Sequence, residues 1–78
     1  MNPLEDFANG LRQLGHRVQH TDTQALVDGR YLVTWRYPQF RVFRWDADAA
    51  VYGGPLRGDW EFITATQVMR EAYRAVCR

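Results

Sequence analysis

Residues 31 to 45 hold the densest set of side chains suited to recognition: Tyr31, Trp35, Arg36, Tyr37, Phe40, Arg41, Phe43, Arg44 and Trp45. Arginine and aromatic residues recur at binding hot spots because a planar guanidinium pairs with carboxylates, phosphates and ring faces, while rings supply large rigid contact area. Whether these side chains meet a partner depends on strand register, since a slip of one residue moves every side chain to the other face. A two- or four-residue connection around Pro38-Gln39 makes Arg36 face Arg41. It places Val33, Trp35, Tyr37, Phe40 and Val42 together as core. The other side then carries Arg36, Arg41, Phe43 and Trp45 beside Leu32 and Thr34 as a binding platform. A three-residue loop instead gathers Val33, Trp35, Phe43 and Trp45 inside, and the platform becomes ordinary core.

Two further basic residues extend the candidate binding set. Arg70 and Arg74, followed by Arg78, recur at four-residue spacing and form one exposed line on a helix, with Glu71 offsetting part of their repulsion. Such a line reads either as a solvated face or as the footprint of an acidic partner. Candidates for covalent or metal chemistry fail on geometry. His16, His20 and Asp22 offer two imidazoles and a carboxylate, a zinc-compatible donor set. On a strand, however, residues i and i+4 stand roughly 13 Å apart, so no metal or cofactor is assigned to them. Cys77 falls in the last turn of a helix, the dipole end that opposes a thiolate, and is not assigned as a nucleophile. Arg57-Gly58-Asp59 matches an integrin-binding tripeptide, a string short enough to arise by chance. No phosphate-cradling glycine loop, paired-cysteine zinc pattern, nucleophile elbow or calcium loop is present, so the chain is expected not to be an enzyme.

The elements that must position these residues are legible from periodicity. Asn2-Pro3-Leu4-Glu5 reads as a capping box, and Leu4, Phe7, Ala8, Leu11 and Leu14 recur at helical spacing up to Gly15. A helix over about residues 3 to 14 follows, with Gly10 as a mild internal weakness. The runs 16 to 20, 24 to 27, 31 to 37 and 40 to 45 read as strands. Asp28-Gly29 is the strongest hairpin signal, because a type I′ turn needs positive φ at both central residues. Residues 49 to 63 read as mostly loop, with Val51-Tyr52 as a possible short strand and residues 59 to 63 as extended chain or the start of a helix. Thr64-Ala65-Thr66-Gln67 reads as a second capping box, opening a helix that runs to about Cys77 with Val68, Met69, Ala72, Tyr73 and Val76 buried. The expected fold is α+β: an N-terminal helix, an antiparallel meander of about four strands and a C-terminal helix, with both helices on one face of the sheet. Phe7, Leu11, Trp35, Val42, Met69 and Tyr73 are the expected core.

Length and composition bound the rest. The 78 residues suffice for one core, so residues 1–78 are read as a single domain. Hydrophobic residues make up 46% of the chain, with three Trp, four Tyr and four Phe, which argues against intrinsic disorder. One cysteine cannot close an internal bridge. With no basic and apolar leader at the N-terminus and no membrane-length apolar run, a cytoplasmic location is expected. All ten basic residues are Arg, and the net charge of +1 argues against nonspecific duplex binding, which rests on phosphate neutralisation.

Helix, antiparallel strands, helix is the order of the double-stranded RNA-binding fold, which the chain resembles in topology alone. Where that family carries a lysine-rich cluster, this chain has Thr64-Ala65-Thr66-Gln67-Val68-Met69, without a basic residue. In length, lack of catalytic apparatus and arginine-aromatic surface it is similar to the small inhibitors of phages and mobile elements, including anti-CRISPR proteins. That resemblance implies stoichiometric occupation of a surface on a larger host complex. The expected function is therefore a non-catalytic, protein-binding domain acting through Arg36, Arg41, Phe43, Trp45, Arg70 and Arg74. Its partner is expected to be a protein with an acidic and apolar patch, because Asp46, Asp48, Asp59 and Glu61 near the platform would repel phosphate. Two alternatives stand beside it: binding of single-stranded nucleic acid through the same face, and a structural homodimer paired along the edge strand near 16 to 20.

Overall fold

A computed structural model of the chain describes residues 3–47 and 58–77. In chain order the elements are α1 (Pro3–Gln13), β1 (Val18–His20), β2 (Gln24–Val27), β3 (Tyr31–Arg36), β4 (Gln39–Asp46), β5 (Asp59–Thr66) and α2 (Met69–Val76). The strands form one sheet in the order β1-β2-β3-β4-β5, each antiparallel to its neighbour. Both helices lie on one face of it, α1 over β1 to β3 and α2 over β4 and β5. The architecture is α+β, as the sequence predicts.

Local chemistry explains most of these boundaries. Gly15, at φ +96°, closes α1: the His16 N–H donates to Leu11 O at 3.0 Å and the Gly15 N–H to Arg12 O at 3.0 Å, the paired bonds of a Schellman ending. Arg12 then ties the helix to the sheet, its Nη2 donating to Val18 O at 2.8 Å and to His20 Nδ1 at 3.1 Å. Asp28 (φ 54°) and Gly29 (φ 67°) make the β2–β3 turn, with the Arg30 N–H donating to Val27 O at 3.0 Å.

The core is continuous between the helices and the sheet. Leu4, Phe7, Ala8 and Leu11 of α1 meet Val18, Ala25, Val27, Val33, Phe40 and Val42 from the strands and Ala72, Ala75 and Val76 of α2. Of the expected core, Phe7, Leu11 and Val42 are fully buried, and Trp35, Met69 and Tyr73 are half-buried against it. The Tyr73 side chain of α2 packs against α1 at Gly10. A Cβ there would stand 2.0 Å from Tyr73 Oη, so the apparent weakness in α1 is the space that Tyr73 occupies.

Three expectations change at the C-terminal end. Asp59–Thr66 is a fifth strand, longer than any but β4, and not mostly loop. Its alternation was hidden by a bulge: Val42 pairs with Thr64 and Phe43 with Phe62, leaving Ile63 without an opposite residue. The second helix begins at Met69, because Thr64, Ala65 and Thr66 complete the strand opposite Val42, Arg41 and Phe40. Thr66 still serves the helix start from the strand end. Its Oγ1 accepts the Val68 N–H at 3.0 Å and donates to Glu71 Oε2 at 2.6 Å. Val68 consequently lies outside the buried stripe, at 45% exposure, and Ala75 takes its place. Asn2, Val51-Tyr52 and the turn at residues 53–55 lie outside the described residues.

Candidate functional site

The connection between β3 and β4 is the two residues Tyr37-Pro38, which sets the register. Val33 pairs with Val42 and Trp35 with Phe40 on the helix side. Leu32 pairs with Phe43, Thr34 with Arg41 and Arg36 with Gln39 on the other. Arg36, Arg41, Phe43 and Trp45 therefore share the side of the sheet that neither α1 nor α2 covers. Two details differ from the sequence reading. Arg36 stands opposite Gln39 and meets Arg41 only diagonally, because the two-residue turn makes Gln39 the first residue of β4. Tyr37 sits in that turn, 86% exposed, its ring edge-on to Trp35 at 6.3 Å between centroids, and is not core.

The bulge at Ile63 adds two aromatics that the sequence reading missed. Below it Thr64 and Thr66 pair with the inward Val42 and Phe40, whereas beyond it Phe62 and Trp60 pair with the outward Phe43 and Trp45. Phe43 and Phe62 meet edge-on at 5.7 Å between ring centroids, and Trp45 and Trp60 do so at 5.2 Å. Trp45 remains 41% exposed and Phe62 56%. Gly58, at φ +77°, lets the Trp45 indole lie against the backbone, since a Cβ there would stand 2.3 Å from Trp45 Cζ2. Leu26 of β2, opposite Leu32, extends the apolar strip towards β1. A signal for the missed pair was present in the sequence, because Trp60 and Phe62 alternate with Asp59 and Glu61 in a strand-like pattern.

The same alternation sorts the charges. Arg44 opposite Glu61 and Asp46 opposite Asp59 project to the helix side, one residue away from each outward aromatic. Arg44 Nη2 donates to Glu61 Oε2 at 2.6 Å, and that bond raises the guanidinium pKa above its ordinary value. The carboxylates expected beside the platform thus lie behind it, and Asp48 falls outside the described residues. Neither the Arg36 nor the Arg41 side chain has a hydrogen-bond or ion-pair partner among the described residues. Between them, with Thr34 and Phe43, the sheet surface dips into a shallow hollow of about 450 Å³.

The remaining candidates are elsewhere. Arg70 and Arg74 are exposed on α2, on the covered side of the sheet, and do not join the platform; Arg78 lies outside the described residues. His16, in the α1–β1 connection, bonds Asp28, and His20 bonds Arg12, so the two imidazoles and Asp22 do not converge. Among the described residues no three His, Cys, Asp or Glu side chains form a metal-binding group. No helix among them is long and apolar enough to cross a membrane. No protein-family model matches the chain, and comparison with curated proteins and with solved structures finds no similar protein.

Proposed function

We propose that this chain is a non-catalytic binding domain that acts stoichiometrically in the cytoplasm, covering an acidic and apolar surface of a larger protein with its open sheet face. The observation that carries this reading is a sheet face on which Trp45 and Phe62 are exposed and Leu26, Leu32, Phe43 and Trp60 half-buried, with no element among the described residues over them; Arg36 and Arg41 flank it without a side-chain partner among those residues, while the nearby strand carboxylates point the other way. Aromatic anchors surrounded by apolar contacts, with arginine at hand, are the composition of an interface centre. Occupation of a host complex in the manner of the small phage and mobile-element inhibitors fits a domain of this size. Its test is affinity capture from the native host with Arg41→Glu and Phe62→Asp variants as controls. A partner retained one-to-one by the natural chain and released by both folded variants supports the reading. Retention by both variants defeats it.

The charge sorting also favours a second reading, single-stranded nucleic acid stacked on the four rings, since no strand carboxylate on that face repels phosphate. Against it, Leu26 and Leu32 occupy the middle of the face and cannot stack bases, and the rings are already paired edge-on. Oligonucleotide affinity that falls steeply with salt would move the assignment to this reading.

A further inference from the structure

His16, Asp28 and Cys77 come from three separate places, the α1–β1 connection, the β2–β3 turn and the end of α2. They meet in a line. Asp28 Oδ2 lies 2.7 Å from His16 Nδ1, and His16 Nε2 lies 3.5 Å from Cys77 Sγ, within reach of a sulfur hydrogen bond. We propose that these three side chains form a thiol–imidazole–carboxylate relay that makes Cys77 a site of exchange with small disulfides of the glutathione class. The inference is independent of the open sheet face, which these residues do not join.

Each member is held by its own backbone. The Cys77 N–H donates to Tyr73 O at 2.9 Å, and His16 N–H to Leu11 O at 3.0 Å. The Asp28 N–H donates to Arg17 O at 2.7 Å, and Asp28 Oδ1 accepts the Arg17 N–H at 2.9 Å, which leaves Oδ2 for the imidazole. With Nδ1–H donated to the carboxylate, the lone pair on His16 Nε2 faces the thiol, the arrangement of nucleophile, base and orienting acid. His16 keeps 25% of its side-chain exposure, and Cys77 is exposed, so a small reagent reaches the sulfur. Among the described residues Arg17 acts on Asp28, and Tyr73 feels both Cys77 and Asp6.

The exchange balances without another reactant. The Cys77 S–H proton passes to His16 Nε2, and Sγ forms a bond to one sulfur of the disulfide. The old S–S bond breaks with its electron pair on the departing sulfur, which takes the proton back from the imidazolium. The products are a mixed disulfide on Cys77 and one free thiol. These 78 residues contain no second cysteine, so nothing within them resolves the mixed disulfide.

The experiment measures the rate at which the full chain reacts with 4,4′-dithiodipyridine and with oxidised glutathione, between pH 5 and 9. A free thiol is only a few per cent ionised near neutrality, so a base at hand can accelerate attack by roughly tenfold before reduced nucleophilicity offsets part of the gain. Native protein should react at pH 7 about fivefold faster than the same chain unfolded in urea. His16→Ala should fall to the unfolded rate and Asp28→Asn to an intermediate one, and Cys77→Ser should not react. Equal rates for native and unfolded chain would overturn the relay without reference to any variant. So would a folded His16→Ala protein that reacts as fast as the natural one.

Discussion

On the helix side of β3 and β4 the paired residues are Val33 with Val42 and Trp35 with Phe40; one position along, on the other side, they are Leu32 with Phe43 and Thr34 with Arg41. Both sides are rich in large hydrophobic residues. What separates them is cover: α1 and α2 close over the first and bury Val33 and Val42 completely, while nothing among the described residues lies over the second. Apolar composition therefore does not distinguish the covered face from the open one in this sheet. Charge placement does, since Arg44 and Glu61 pair on the covered side, whereas the Arg36 and Arg41 side chains on the open one have no partner among the described residues. The open side holds surface that folding did not use, and a partner could.

The comparison breaks most directly at one aromatic from each side. Phe40, 2% exposed and in contact with the Phe7 and Trp35 rings, should lose about 3 to 5 kcal/mol on truncation to Ala, from the buried area removed and the cavity left. A small single-core domain has only about 5 kcal/mol in hand, so Phe40→Ala should be largely unfolded at room temperature. Phe62→Ala, on a ring 56% exposed, should cost no more than about 1 kcal/mol in urea titration. A loss at Phe62 equal to that at Phe40 would mean that the open face is a second core and that the binding reading has lost its surface.

How much of this contrast the sequence carries depends on the strand. In β3 and β4 alternation is unbroken and the connection is short, so the outward placement of Arg36, Arg41, Phe43 and Trp45 is readable once the loop is taken as two residues. β5 is not readable in the same way. Its period of two is interrupted at Ile63, and the strand ends in Thr64-Ala65-Thr66, which with Gln67 satisfies a helix-capping pattern locally while pairing with β4 decides the outcome. Trp60 and Phe62 were lost to that conflict. The relay of His16, Asp28 and Cys77 is invisible for another reason: its members are 12 and 61 positions apart, and only the packing of α2 against the sheet and α1 brings them together.

A smaller effect probes how tightly the covered side is built. Gly10→Ala removes a helix-weakening glycine and in an exposed position would gain about 1 kcal/mol. Here the added Cβ meets Tyr73 Oη, and the Tyr73 ring is stacked on Phe7 at 5.0 Å, so it has little room to retreat. Gly10→Ala should instead destabilise by roughly 1 to 3 kcal/mol, and adding Tyr73→Phe, which removes the colliding oxygen, should recover most of the loss. Thermal melts of the two variants settle the sign. A stabilised Gly10→Ala protein would show that α1 and α2 adjust freely, and the covered side would then resemble the open one more closely than the fixed contacts imply.

The smallest expected effect lies at the rim, where the β2–β3 turn meets the helix layer. Asp28 has its carboxyl pKa lowered from 3.8, first by the hydrogen bond with His16 and then by the Arg17 N–H. The unfolded chain lacks both bonds, so folding favours the carboxylate. The stabilisation is complete above the ordinary carboxylate range and disappears as pH falls below 3.8 through the folded-state value. Asn tolerates the positive φ of this turn, which makes Asp28→Asn a change of charge with little backbone strain. The natural chain should melt above Asp28→Asn near neutrality, and the gap should close on acidification towards pH 3. The side chain is 39% exposed, so solvent screens the interaction and the gap stays small. A gap that persists unchanged in acid would assign the tie between turn and helix layer to shape.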